Sequence, residues 1–211
     1  MKEKPILMSA PMVRAILEGR KTQTRRVMNP QPKEWAVNSS GSRPIIWKND
    51  KPVDVECPYG QPGDRLWVRE TFRLTTGDDC ACYEPCQCKS GVPVYYASCA
   101  DDECKWKPSI FMPRWASRIT LEIVEVRVQR VQEISHKDAI SEGCPDAGDI
   151  SAKTWDESGI SRRVFEDSQN RRNTIFGAKA EYSILWDSIN SKRGFGWDKN
   201  PWVWAITFKR L

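Results

Sequence analysis

Between residues 19 and 26 the chain reads Gly-Arg-Lys-Thr-Gln-Thr-Arg-Arg. An amine, two threonine hydroxyls and three guanidinium groups therefore share a short span. The Thr24 hydroxyl is a weak nucleophile until a base takes its proton. Lys21 can be that base if burial and the neighbouring cations Arg20, Arg25 and Arg26 lower its pKa. The same arginines can hold a developing oxyanion or a phosphate. Lys21 and Thr24 are three apart, so in an extended segment they point to opposite sides. Both meet one pocket only if the chain turns after Gly19. The bland alternative is an exposed basic loop after a helix, with Thr24 simply a strand residue.

A second candidate centre is the run Cys80, Cys82, Cys86 and Cys88, followed by Cys99 and Cys104. Thiolates at this density suit a tetrahedral structural zinc. Four sulfurs within nine residues are cramped, so Cys99 and Cys104 can replace two of them. Residues 78–104 hold six acids (Asp78, Asp79, Glu84, Asp101, Asp102 and Glu103) against Lys89 alone. That field favours a cation and makes this stretch a poor phosphate binder. The spacing is not that of two C-x2-C knuckles, so free thiols stay open. Cys57 and Cys144 are isolated and read as buried.

Weaker signals complete the set. Arg69 and Glu70 end a strand pattern and either line a cleft or pair with one another at the surface. His136 stands at a helix start, where capping or decoration explains it. Ten Trp invite base stacking. Trp67, Trp202 and Trp204 sit in strand patterns and read as core, whereas Trp35, Trp47, Trp106, Trp115 and Trp155 lie nearer loops.

The excess positive charge is local. The 211 residues carry 33 Lys/Arg against 28 Asp/Glu, a net charge of +5. Residues 1–35 hold eight of those cations and three of the acids, and the remainder balances. A concentrated field of this kind suits an anionic partner or a solvated face. With one His in the chain, a His-rich metal centre is excluded, and any Ser-His-Asp triad must use His136. No apolar run approaches the roughly 18 residues that span a bilayer. No secretory signal is evident at Met1–Pro11, so the expectation is a cytoplasmic protein with reduced thiols and no membrane partner.

The elements that must position these groups follow from pattern. Lys4–Ser9 reads as a short strand. Ser9 then caps a helix with Pro11 in its first turn, apolar Met12, Val13, Ile16 and Leu17, and Gly19 at its end. Lys21–Val27 reads as extended. Residues 29–62, rich in proline, read as loop with brief strands. Pro62-Gly63-Asp64 turns into a strand, Arg65–Glu70. Ile119, Leu121, Ile123, Val124, Val126, Val128 and Val131 give Ser117–Val131 as one long strand or a hairpin bent near Glu125. Ser135 caps a short helix, His136–Glu142, closed by Gly143. Ala178–Ile189 is helical, with Tyr182, Leu185, Trp186 and Ile189 on one side, and Asn200–Leu211 is a final strand. Residues 75–107 (Cys-rich) and 145–175 (with Arg162, Arg163, Arg171 and Arg172) read as two insertions, the second mobile. Several strands with a few short helices argue an α+β chain built on a small β-barrel with peripheral helices. Neither G-x-G-x-x-G nor a P-loop is present.

Three segments, Gly19–Arg26, Pro62–Val68 and Trp202–Leu211, together resemble the ASCH domain of the PUA-like superfamily. Pro108-Ser-Ile-Phe-Met-Pro-Arg-Trp-Ala-Ser-Arg118 strengthens the likeness to the larger ASCH proteins of phages and prophages. The resemblance covers roughly two-thirds of the chain, outside the two insertions, and implies a single domain, 1–211. Its members include RNA binders, a ribonuclease and small amidohydrolases that act on N4-acetylcytidine. Those amidohydrolases share Gly-Arg-Lys-Thr-x-Thr. The resemblance places their catalytic Lys and Thr on Lys21 and Thr24, and their Glu on Glu142, which would pass a proton to the leaving amine. The implied activity is deacylation of a modified nucleobase or nucleoside, with no cofactor needed for catalysis. The alternative is a nucleic-acid-binding module, with or without ribonuclease activity, that uses the basic segment 14–26, with Arg20, Arg25 and Arg26. This chain is about twice as long as those enzymes, so its insertions can reshape the pocket and change the substrate.

Overall fold

The computed structural model describes residues 1–32, 55–75, 91–99, 105–145 and 177–211 in full, and the backbone alone of 36–37, 44–48 and 51–54. The element order is β1 (Glu3–Leu7), α1 (Ala10–Leu17), β2 (Gln23–Val27), β3 (Ala36–Val37), β4 (Pro44–Lys48), β5 (Lys51–Asp54), β6 (Arg65–Arg69), β7 (Phe72–Leu74), β8 (Pro93–Tyr95), β9 (Thr120–Arg130), α2 (His136–Ser141), α3 (Ala178–Asn190) and β10 (Trp202–Arg210). The class is mixed α+β, with a five-stranded sheet of order β1-β6-β9-β10-β2. A ladder closing β1 onto β2, as a barrel requires, is not among the described pairings. Most of the two insertions expected at 75–107 and 145–175 falls outside the described residues.

The chain divides into two compact units. The first comprises Met1–Gly19, Tyr59–Ile123 and Lys209–Leu211. In it β1 runs parallel to β6, from Glu3 opposite Arg65 to Leu7 opposite Arg69. β6 lies antiparallel to the start of β9, with Leu66 opposite Leu121. Alternation along β9 buries Leu121 and Ile123, as period-two patterning requires. α1 begins after Ser9, whose side chain makes no capping bond, with Pro11 in its first turn. Val13, Ala15 and Ile16 are its buried residues. Gly19, at φ +77, supplies the left-handed exit that a side chain would resist. The turn before β6 is held by Asp64, whose carboxylate accepts from the backbone N–H of Lys2 at 2.6 Å and of Gln61 at 3.2 Å.

The second unit comprises Arg20–Pro58 and Val124–Phe208. β10 pairs antiparallel with β2, so that Ala205 faces Arg25, Ile206 faces Thr24 and Thr207 faces Gln23. Its core gathers Val131, Ile134, Ala139, Cys144, Ala178, Tyr182, Trp186, Trp197 and Val203. Tyr182 and Trp186, four apart on α3, present one apolar face. The Trp186 indole N–H donates to the Phe195 carbonyl at 2.7 Å, which satisfies its polar edge. α2 starts as its sequence indicates: the Ser135 hydroxyl accepts from the Asp138 N–H at 3.0 Å. Glu142 is the C-cap residue, followed by Gly143 at φ +94. β9 is a single strand with no hairpin at Glu125, because the apolar alternation continues past that residue without a turn signal.

Candidate functional site

The second unit places Lys21, Gln23 and Arg25 against α2. Residues i and i+2 of a strand share a face, so Gln23 and Arg25 of β2 both point at Asp138 and Glu142. Lys21 lies just before β2, where the Thr22 N–H donates to the Ser141 carbonyl at 2.8 Å. That bond ties the turn after Gly19 to the end of α2.

Lys21 is 2% exposed. Its Nζ donates to the Gln23 carbonyl at 2.8 Å, to the Glu142 carbonyl at 2.8 Å and to Glu142 Oε2 at 2.7 Å. An ammonium has three donors, and all three are used. Burial pushes the Lys21 pKa below its ordinary value, with Glu142 opposing and Arg26 reinforcing the shift. Of the two causes expected, burial is the larger, and Arg26 is a lesser contributor.

The second oxygen of Glu142, Oε1, accepts from Arg25 Nη1 at 3.1 Å. Arg25 is not available as an oxyanion or phosphate holder in this arrangement. Its side chain is wholly buried, and every N–H has an acceptor. Nη1 also donates to Gln23 Oε1 at 2.6 Å, and Nη2 donates to Asp138 Oδ2 at 3.0 Å. The Gln129 amide, turned with its oxygen inward, accepts from Nε at 3.2 Å and from Nη2 at 3.0 Å. The Tyr182 ring lies 5.8 Å from the guanidinium carbon. Asp138 also meets Arg127 at 3.5 Å. Burial raises the Asp138 carboxyl, and Arg25 and Arg127 more than offset this, so its pKa lies below the usual value. Burial lifts the Cys144 thiol to about 12, with Glu142 adding to it.

The other expected site residues fall as follows. Thr24 is buried, faces Ile206 across the ladder, and by alternation lies on the face of β2 opposite to Arg25. Among the described hydrogen bonds none joins it to Lys21 or Glu142. Arg20 is exposed and donates to the Gly143 carbonyl at 3.2 Å. Arg26 is half-buried. Arg69 and Glu70 belong to the first unit. Arg69 donates through Nε to the Met112 carbonyl and stacks 4.8 Å from the Trp67 ring centre. Glu70 is 1% exposed and is gripped by Arg118 at 2.9 Å on each oxygen. It is a buried half of an ion pair with Arg118, so neither pairing with Arg69 nor a surface position describes it. Of the cysteines expected to bind metal, Cys99 is an exposed free thiol, and Cys80, Cys82, Cys86, Cys88 and Cys104 lie outside the described residues. No group of three or more His, Cys, Asp or Glu poised for a metal occurs among the described residues. Gln23, Gln129, Asp138 and Arg118 were not singled out by sequence. Only the i, i+2 spacing of Gln23 and Arg25 hints that they act together.

No family model matches the chain, and neither does any curated protein. Among solved structures, the crystal structure of the ASCH domain from Lactobacillus crispatus JV V101 aligns over 99% of this chain and 79% of its own, at 14% identity and a TM-score of 0.38. No helix among the described residues is long and apolar enough to cross a membrane.

Proposed function

We propose that this chain is a PUA-like, ASCH-type amidohydrolase that removes an acyl group from a modified nucleobase or nucleoside of the N4-acetylcytidine kind. The observation that carries the reading is the buried Lys21–Glu142 pair, with Nζ and Oε2 2.7 Å apart. A lysine whose pKa is pulled down by burial, hydrogen-bonded to a carboxylate, is a proton-handling unit of the kind amide cleavage needs.

In this mechanism the Lys21 ammonium passes a proton to Glu142, leaving an amine and a carboxylic acid. Thr24 lies on the opposite face of β2, so this step requires a rearrangement that brings its hydroxyl to the amine, which then takes its proton as the oxygen bonds to the acyl carbon. Glu142 returns its proton to the nitrogen of the departing base as the C–N bond breaks. Water then releases the acyl group from Thr24, and the pair regains its starting proton count. Lys21 and Arg25 are matched by Glu142 and Asp138 within the fold, so they do not serve as an open phosphate surface. This weighs against nucleic-acid binding by the basic 14–26 segment as the main activity.

The test is turnover of N4-acetylcytidine by the full chain and by Lys21→Ala, Thr24→Ala and Glu142→Ala. Each substitution should lower turnover on the order of a thousandfold, the usual cost of losing a nucleophile or its base. Thr24→Ser should keep measurable activity. A wild-type protein that deacylates no modified nucleoside, yet binds RNA with a steep salt dependence, would establish the binding reading instead.

A further inference from the structure

The spacing of Gly19–Arg26 groups Arg25 with the substrate-binding cations, but its surroundings give it a different task. Its five N–H donors are all spent on protein acceptors: Gln23, Glu142, Asp138 and the Gln129 amide. Its side chain has no solvent exposure. A substrate oxygen therefore has no free donor on Arg25 to reach. The guanidinium instead bridges three elements, taking Gln23 from β2, Gln129 from β9, and Asp138 and Glu142 from α2 and its C-cap.

Glu142 accordingly has a cation on each oxygen. Lys21 is on Oε2 at 2.7 Å and Arg25 is on Oε1 at 3.1 Å. Two anchored contacts fix the plane of a carboxylate, whereas one leaves it free to rotate. Arg25 also sets how tightly the pair keeps its protons, because a cation beside a carboxylate favours the charged form. Asp138, held below its ordinary pKa, anchors the other edge of the guanidinium and partly cancels its charge.

We infer that Arg25, anchored by Asp138, is a positioning residue that aims Glu142 at Lys21 and tunes the proton affinity of that pair. This rests on the amidohydrolase reading for its catalytic meaning, although the proton affinity can be read without turnover. The quantity to follow is the titration of Lys21. The groups that face the pair are few. β2 contributes Arg25 and Arg26, β9 contributes Arg127, and α2 contributes Asp138. The segment after α2 contributes Cys144, and α3 contributes Tyr182 and Glu181. Cys144, lifted to about 12, and Tyr182, raised well above its ordinary value, stay neutral in the accessible range. Burial raises the Glu181 carboxyl above its ordinary value.

The experiment uses the full chain and three variants: Arg25→Gln, Arg25→Lys and Asp138→Asn. One arm measures the pH dependence of kcat and KM on N4-acetylcytidine. The other follows the side-chain carbon and nitrogen resonances of Lys21 in ligand-free protein, assigned with Lys21→Arg. Losing the Arg25 charge makes the pair hold its protons to higher pH. Arg25→Gln should therefore move both limbs of the profile, and the Lys21 resonance, upward by about one pH unit or more. Arg25→Lys keeps the charge and should leave the limbs in place while lowering kcat, because an ammonium cannot reproduce the fork. Asp138→Asn uncovers the Arg25 charge and should move the same signals downward, by less. KM should change less than kcat in all three. A purely structural arginine would lower activity in every variant without this charge-ordered pattern.

If Arg25→Gln fails to fold, Asp138→Asn and Arg25→Lys carry the test, and a Lys21 titration unmoved by Asp138→Asn overturns the inference. A Lys21 titration unchanged in folded Arg25→Gln also overturns it. Movement of the resonance as described, in a wild type that deacylates no nucleoside, refutes the amidohydrolase reading and leaves the positioning role standing.

Discussion

Glu142→Gln isolates the energetic weight of the buried network. The side chain of Glu142 is 3% exposed, and those of its partners Lys21 and Arg25 are fully buried. The amide that replaces the carboxylate keeps one acceptor oxygen. Its NH2 group then faces whichever of Lys21 or Arg25 lost its oxygen, setting donor against donor. Lys21 loses its one counter-ion, and Arg25 is left with Asp138 alone. Breaking a buried pair on one side typically costs about 3–5 kcal/mol, a large share of the roughly 5–15 kcal/mol that holds a domain of this size. Lys21 can limit the loss by giving up its proton, since each unit by which its pKa falls below the assay pH stops adding about 1.4 kcal/mol.

This gives the effect a pH signature. The folded Lys21 pKa already lies below the ordinary lysine value, so between the folded and unfolded values the unfolded chain binds the extra proton. Stability therefore rises with pH across that window. Removing Glu142 lowers the folded value further and extends the window downward. Chemical denaturation of wild type and Glu142→Gln should show the deficit largest at about pH 6 and shrinking toward about pH 10. An equal midpoint for the two proteins near neutral pH, or a deficit that grows with pH, would refute the reasoning that burial and charge pairing govern this cluster.

Three further outcomes follow from other parts of the molecule. Glu70→Gln breaks the two-bond grip of Arg118 on a carboxylate 1% exposed, and should cost about 3 kcal/mol in urea denaturation; a loss under about 1 kcal/mol would mean that Arg118 is solvated equally well without it. The Asp64 pKa is lowered chiefly by the backbone N–H groups of Lys2 and Gln61, so its contribution is present above the unfolded pKa and lost as pH falls through the folded one. Asp64→Asn should then melt earlier than wild type at neutral pH and alongside it in strong acid, and a gap that persists in acid would contradict this. The density of thiols in the segment 80–104 leads to the expectation of one structural zinc per chain, lost in Cys86→Ser with Cys88→Ser; elemental analysis of protein purified without chelators that finds no zinc would dispose of it.

Some of this arrangement is legible in sequence because it is local. Period-two alternation locates β9 through Leu121 and Ile123, and the aromatic run from Trp202 to Phe208 locates β10. Ser135 and Gly143 bound α2 by capping chemistry, which places Glu142 at its end. Position along a helix does not say what lies opposite. Arg25 and Glu142 are separated by 117 residues, and Arg118 and Glu70 by 48. Nothing in the period of either segment joins them. Glu70 closes an apolar strand and Arg118 precedes one, so each reads alone as a surface charge at a strand end.

The same limit explains why charge counting misassigns Arg25. The excess of cations in residues 1–35 is real, but a cation acts on a partner only if its donors are free. Lys21 spends three donors and Arg25 five inside the fold. Their charges are matched by Glu142 and Asp138, acids that a window over the N-terminal segment never sees. Among the described cations of that segment, Lys2 and Arg20 are exposed, Arg20 beside the Gly143 carbonyl, and Lys4, Arg14 and Arg26 are half-buried. Burial thus divides the basic stretch into an internal, charge-matched cluster and a set of outward cations. On the amidohydrolase reading, Arg20→Ala should act on KM and its salt dependence, whereas Arg25→Lys should act on kcat. A salt-independent loss of kcat in Arg20→Ala would show that the two clusters work as one.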